Sequence, residues 1–434
     1  MTVPLSILDL APLVSGGTVG DALRRTLDLA RAAERFGYHR YWVAEHHLTP
    51  GVASSQPALL LGQIAAATER IRLGSGALQT GYLTPLAALE QFGLLDALYP
   101  GRFDLGLGRS AQRRKTAVTE ASSPSSTASE AVRVSSTGSE ASSPSSTASE
   151  AAPVSSTGLG ATPAFSTGSG AASAVSTASG SGAVSSTGAE AREVDGLLIP
   201  EHFDFTALAT SPRAALFGKL LKQPGAEPLD LEQVVDDIQT LIAGQYTDGL
   251  GNEAHAVPGE NADLELWILG SSGGESARVA GARGLPFAAN YHVAPAKVLE
   301  AVDAYRAAFR PSKVLSAPHV MVSADVVVAE DDATAERLAI PYGLWVRSIR
   351  NGTGAIPFPS VEEALAHEWT GADRELVADR LDTQFVGTPR RVAERLETLR
   401  RVTGADELLV TTITHEHTDR VRSFELLARH WQGH

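Results

Sequence analysis

A strand-then-helix alternation runs through this chain, and no other feature narrows the choice of fold so far. Short apolar runs bounded by turn residues stand at 5–10, 40–44, 71–77, 103–107, 264–269, 287–291, 320–329 and 407–411. Segments with apolar residues at helical spacing follow them, at 21–36, 54–69, 85–98, 231–243, 275–282, 295–309, 388–401 and 418–431. In the first of these helices Asp21 reads as the N-cap and Gly37 as the residue just past the end. Eight such units predict an α/β fold, a (β/α)8 TIM barrel built as a single domain over residues 1–434. A doubly wound open sheet is the alternative that strand counting leaves open.

One segment stands outside the alternation. From 110 to 195, after the fourth strand, Ser, Thr, Ala and Gly dominate. The run EASSPSSTASEA at 120–131 recurs at 140–151, and a Ser-Thr pair returns every ten residues. A β-solenoid needs an apolar residue in every rung, and only Val134, Val154, Phe165, Val175 and Val184 are available, so the expectation is a flexible low-complexity insertion. A glycosylated stalk is the other reading of Ser/Thr runs with proline, but nothing marks the chain as secreted.

Composition excludes several functions. A chain of 434 residues with 43% apolar content can bury a large core, and with no cysteine it has neither disulfides nor thiolate chemistry. The formal charge of −14 disfavours nucleic acid as a partner, because such binding leans on Lys and Arg neutralising phosphates. No apolar run approaches a membrane span and the N-terminus carries no basic leader, so a cytoplasmic protein acting on small molecules is expected.

In a barrel the loops that follow the strands share one face, so residues far apart in sequence become neighbours there. Strand 2 ends in Glu45-His46-His47, strand 3 in Gly76-Ala77-Leu78-Gln79, strand 4 in Arg109, and strand 6 in Asn290-Tyr291-His292. Strand 5 runs into Gly270, Ser271, Ser272, Gly273, Gly274 and Ser276 at the start of a helix, where close backbone approach, hydroxyls and free N–H groups make an anion cradle. A phosphate is the expected guest. Adjacent histidines in a regular strand point to opposite sides, and no HExxH pattern exists, so no metal site is expected. Gly106 to Ala111 fits GxGxxA, but no helix or suitably spaced acid follows, and the dinucleotide reading is rejected.

These residues resemble the bacterial luciferase-like, flavin-dependent monooxygenases. The likeness rests on WVAEHH at 42–47, RIRLGSGAL at 70–78, TPLAALEQFGLLDALYPGRFDLGLGR at 84–109, the phosphate turn with GLP at 284–286, and FVGTPRRVAERL at 385–396. The resemblance implies an eight-stranded barrel that binds reduced FMN, adds oxygen to it, and attacks a small organic substrate through a flavin peroxide. It further implies a separate flavin reductase and a homodimer built from the early helices. By the same resemblance His46 is the catalytic base or hydrogen-bond donor, Arg109 pairs with the flavin phosphate, and Ser271, Ser272, Gly273 and Ser276 complete the clamp. Gly76-Ala77 matches a turn beneath the ring that often carries a non-proline cis peptide. Asn290, Tyr291, His292, His415 and His417 are weaker candidates for the substrate cavity, and the stretch 340–370, rich in Gly and Pro, reads as a lid loop. Two alternatives keep the barrel: an oxidoreductase using deazaflavin F420 for hydride transfer, and a flavin-storing or scaffold protein without turnover.

Overall fold

The structure is a computed structural model, and it describes residues 3–109, 190–222, 225 and 229–433. Eight strands, β1 (Leu5–Asp9), β2 (Arg40–Val43), β3 (Arg72–Ser75), β4 (Phe103–Gly108), β5 (Glu265–Gly270), β6 (Phe287–Asn290), β7 (Val320–Val328) and β8 (Glu407–Thr411), pair in that order. Every pairing is parallel, and β8 returns to β1 through Leu5 opposite Leu408 and Ile7 opposite Val410. The sheet is therefore a closed barrel and has no open edge. That disposes of the open-sheet alternative.

Helices α1 (Val19–Phe36), α2 (Pro57–Ala65), α3 (Pro85–Leu98), α4 (Leu231–Ile242), α5 (Glu275–Ala282), α6 (Val298–Ala308), α7 (Pro389–Thr403) and α8 (His417–Gln432) surround it. Thr18, not Asp21, caps α1: its hydroxyl accepts from the Asp21 amide, and the Asp21 carboxylate reaches back to the Thr18 amide at 3.1 Å. Asp21 is thus the third helical residue of a capping box, a geometry that also suits an acid at the positive end of the helix. Gly37 closes α1 in the left-handed region at φ 79°.

Two further expectations change. The stretch 340–370 is not one loop, because helix Asp332–Arg350 runs through Pro341 and short helices Val361–Leu365 and Gly371–Thr383 follow. Tyr342, Trp345 and Val346 of the long helix pack with Val14, Phe358, Val377 and Ile413, and that burial outweighs the hydrogen bond that proline forfeits. At the other site, Arg192–Val194 already pairs as a hairpin with Leu197–Ile199, so ordered chain resumes inside the expected insertion. The remainder of the insertion, 110–189, lies outside the described residues.

Strand alternation sorts the core into two. Leu8, Trp42, Trp267, Leu269, Ala288, Met321 and Leu409 fill the barrel, while Ile7, Tyr41, Val43, Leu105, Ile268, Phe287, Val322 and Val410 face the helices. Below the inner layer, charges close the floor. Arg40 donates to Asp104 at 2.9 Å, Glu265 at 2.7 Å and Glu407 at 3.2 Å; Arg72 reaches Asp104 at 2.6 Å, and the Trp42 indole donates to Asp104 at 2.8 Å. Asp104 is fully buried, and Arg40 and Glu407 nearly so. Removing one partner of such a buried cluster strands the others without compensation, so Arg40→Met is expected to lower unfolding free energy by about 3–5 kcal/mol in urea titration. A loss below about 1 kcal/mol contradicts the role given to this cluster.

Candidate active site

The C-terminal ends of the strands surround a cavity of about 640 Å³, and every strand or the residues just beyond it contribute to its wall. Three regions follow from the chemistry of the lining: a histidine side on β2 and β6, a hydroxyl and guanidinium mouth on β4 and β5, and a charged seam on β7 and β8.

On the first side β2 ends at Val43, and Glu45, itself part of the cavity wall, ties the next strand end. Its carboxylate accepts from the Gln79 amide at 2.7 Å and meets His47 Nε2 at 2.6 Å, while its carbonyl accepts from the Gln79 side chain at 2.9 Å. Burial raises the Glu45 pKa, against these hydrogen bonds. Of the three residues in this motif, His47 does not line the cavity, whereas His46 does. His46 is held by its backbone amide on the Ser54 carbonyl at 2.8 Å, and its Nδ1 is sealed from solvent with no hydrogen-bond partner. Burial, with His47 close by, pulls its pKa down to about 4, so the ring is neutral at ordinary pH. Beside it the Gly76-Ala77 peptide is cis. The wall here admits no bulk: a Cβ on Gly76 would lie 2.7 Å from Leu8 Cδ1, and one on Gly108 would lie 2.8 Å from Ala77 Cβ.

At the mouth, Arg109 follows β4 and is half-exposed, with Nη1 2.8 Å from Glu275 Oε2. Ser271, Ser272 and Ser276 line the wall, and α5 begins at Gly274 with no side-chain cap on its free N–H groups. Gly273 falls outside this set. Its amide is turned to Glu300 at 3.3 Å and its α-carbon side packs on Glu300 and Ala304, so it serves the contact between α5 and α6. Glu275 places a carboxylate within the cradle, paired with Arg109, and its hydrogen bond with Asp230 and its burial raise its pKa. Hydroxyls, an uncapped helix start and a guanidinium fit a phosphate. The small-residue floor and the unpartnered imidazole fit a flat ring.

The seam holds residues that sequence reasoning passed over. Asp325, in the middle of the apolar run of β7, accepts from Tyr342 and from Arg380 Nη2 at 3.1 Å; Arg380 also donates to the Tyr342 hydroxyl. Arg350 binds Asp379 and lies 4.0 Å over the Phe203 ring. His292, beyond β6, meets Ser323 Oγ at 2.5 Å, and burial brings its pKa down to about 4. A carboxylate inside VMVSADVVV was a visible signal; Arg380, carried by a helix far along the chain, gave none. Among the weaker candidates Asn290 and His292 line the cavity. Tyr291 instead donates to the Leu198 carbonyl, His415 meets Ser15 and Glu416, and His417 pairs with Asp28.

The luciferase-like monooxygenase profile matches residues 4–173 and 232–407. The chain belongs to that family. Among its relatives, the chain is 32% identical to the uncharacterized protein YvbT of Bacillus subtilis (strain 168), over 99% of this chain and 97% of that one. It is 29% identical to a luciferase-like monooxygenase of Escherichia coli (strain K12), over 98% and 96% of the two chains. The crystal structure of apo-MsnO8 is similar throughout, with a TM-score of 0.67 at 27% identity over 99% and 98% of the two chains. The same fold recurs at 15% identity, with a TM-score of 0.55 over 99% and 97%, in the FMN complex of the oxygenating constituent of 3,6-diketocamphane monooxygenase from Pseudomonas putida. It recurs again at 11% identity, with a TM-score of 0.54 over 99% of both chains, in an F420-dependent secondary alcohol dehydrogenase. No helix among the described residues is long and apolar enough to cross a membrane.

The two cavity histidines couple folding to pH. Both stay neutral in the folded protein down to about pH 4, whereas the unfolded chain takes up protons near 6.5. Between those values the unfolded state binds more protons, so stability falls as pH falls through the window. Melting temperatures measured from pH 7 to pH 4 are expected to drop, with a shallower slope in His292→Gln. An identical slope in that variant contradicts the assignment.

Proposed function

We propose that this luciferase-like monooxygenase binds reduced FMN in the cavity and uses dioxygen to oxygenate a small organic substrate. One observation carries the reading: a neutral, unpartnered His46, a guanidinium on Arg109 and the hydroxyls of Ser271, Ser272 and Ser276 share the wall of one cavity above a floor of Gly76, Ala77 and Gly108. Reduced flavin supplies the electrons that activate dioxygen. The protein's own work is to bind, orient, shield and manage protons.

Arg109 and the three serines hold the phosphate, a guanidinium offering a planar fork to phosphate oxygens. His46, uncharged, offers a ring nitrogen as proton acceptor or hydrogen-bond partner at the reacting end. Arg213 donates to the carbonyl of Leu48 at 2.9 Å and to that of Thr353, joining the segment after β2 to the turn after helix Asp332–Arg350. The reducing equivalents come from a separate flavin reductase in this reading. In solution the partner is a second copy of the chain. α2 and α3 are apolar around their circumference, and Leu59, Leu94 and Leu98 stand 74%, 51% and 64% exposed on them.

Titration of the purified chain with FMN, reduced FMN and F420, followed by oxygen uptake with substrate, tests the reading. Binding of F420 alone, or flavin binding without oxygen uptake, overturns it in favour of hydride transfer or storage. His46→Ala is expected to cut oxygenation by about 100-fold or more while FMN affinity stays within about 2-fold. Arg109→Ala is expected to weaken FMN binding by about 10-fold. Equal losses of binding in the two variants contradict the roles. For the dimer, Leu94→Glu with Leu98→Glu is expected to sediment as a monomer where the parent sediments as a dimer; a monomeric parent rejects the interface.

A further inference from the structure

The seam between β7 and β8 is built differently from the rest of the cavity wall, because two of its buried donors are left without partners. Arg380 is 7% exposed and lines the cavity; its Nη2 donates to Asp325 and to the Tyr342 hydroxyl, and its Nε finds nothing. Thr411, 1% exposed, also lines the cavity, and its hydroxyl is equally unpartnered. Asp325 and Thr411 stand opposite each other in the register of the parallel pair, so the guanidinium bound to Asp325 and the Thr411 hydroxyl belong to one patch of wall. Buried donors without an acceptor are uncommon, and a charged one is costly to leave in that state. The floor of the same barrel shows the contrast, since there Arg40 meets three carboxylates.

The missing partner is an acceptor. Nε–H can only donate and the Thr411 hydroxyl can donate as well, so the acceptor that both lack is an oxygen with free lone pairs. Charge narrows the class. Arg350 and Arg380 both face the cavity at this seam and Asp325 is the acid that faces it with them, while Asp379 compensates Arg350 from behind. His292, neutral, adds no charge to the patch. Asp325 and Asp379 balance the two guanidiniums, so the preference rests on the open donor itself: an N–H on a charged guanidinium binds an anionic oxygen more strongly than a neutral one, and charge-assisted hydrogen bonds are about twice as strong as neutral ones.

We infer that Arg380 and Thr411 form the substrate subsite of this enzyme and that it receives a carboxylate. The inference deepens the monooxygenase reading, since it names the kind of substrate the flavin would meet. His46 and His292 line the same cavity, so the reacting part of a bound acid would extend toward the histidine side. Arg380 and Thr411 are positioning residues. They hold one end of the molecule and leave chemistry to the other.

Calorimetric titration of the full chain, with and without FMN, tests this against matched pairs: hexanoate with hexanamide, phenylacetate with phenylacetamide, 3-(methylthio)propanoate with its amide. At least one acid is expected to bind 10-fold or more tightly than its amide. Thr411→Val, which keeps the shape, should cut that preference at least 3-fold, and Arg380→Lys, which keeps a charge but removes the Nε donor, should abolish it. FMN affinity, read separately by flavin fluorescence, should stay within 2-fold in both variants. Amides binding as well as acids across the panel, or a preference that survives both substitutions, overturns the subsite. Should Arg380→Lys fail to fold, the parent's acid-to-amide ratios and Thr411→Val decide alone. A chain that prefers acids but binds no FMN keeps the subsite and removes the flavin reading; one that binds FMN and shows no preference removes the subsite only.

Discussion

The charged knot around Arg40 is what the rest of the barrel depends on. Arg40 stands at the start of β2, Arg72 at the start of β3, and their carboxylate partners at the starts of β4, β5 and β8; Ser6 of β1 bonds Glu407 as well. One network therefore spans most of the ring at its N-terminal end. An apolar plug could close the floor at less desolvation cost, but it would not fix which strand lies beside which. Specific hydrogen bonds do fix it, because a slip of one residue in any strand carries its charged group to the wrong face. With the floor locked, the opposite ends of the strands are free to carry groups whose bonding is incomplete.

That division explains the electrostatics of the cavity. On the floor each cation meets carboxylates and each indole N–H meets an oxygen. At the top, His46 Nδ1, Arg380 Nε and the Thr411 hydroxyl are buried without partners. The two histidines are uncharged because burial strips their hydration, and at His292 the nearby Asp325 offsets only part of that loss. A cavity with neutral imidazoles at its centre and guanidiniums at both ends presents donors to anionic groups at its extremes and a proton-accepting ring between them.

The barrel was legible in the sequence because each of its strands is a short, nearly continuous apolar run, buried on both faces, and each is followed by a helix with readable ends. The candidate site was legible where its cavity-lining residues lie within a local motif. Glu45-His46-His47, Gly76-Ala77, Arg109 and the Ser/Gly turn all sit at strand ends, and topology alone brings them to one face. What escaped was set by packing between distant segments. Pro341, Gly343 and Gly352 punctuate 340–370 like a loop, yet Tyr342 and Trp345 find a core that keeps residues 332–350 helical. Gly273 looks like its neighbours in the phosphate turn until Glu300 of α6 claims its amide. Asp21 reads as a cap because acids favour that end of a helix, and only the Thr18 geometry separates cap from third residue. Sequence offers no line of sight to such partners.

The misread segment also bears on how a barrel acquires specificity. The strand-end motifs near β2 to β5 are short and close to the sheet, so they can recognise only what lies directly over the strands, and they suit a cofactor whose shape is fixed. Helices Asp332–Arg350 and Gly371–Thr383 are inserted between β7 and α7, and they bring Arg350 and Arg380 over the opposite side of the same opening. Their anchoring is internal: Arg347 to Asp373 and Arg350 to Asp379 join the two helices to each other, and the bonds from Arg380 and Tyr342 to Asp325 join both to the barrel. A substitution in these helices therefore alters the far wall while leaving β2 to β5 in place. In the proposed reading, cofactor and substrate recognition belong to separate stretches of chain that meet across a single cavity, and the sharper test of substrate lies in the inserted helices.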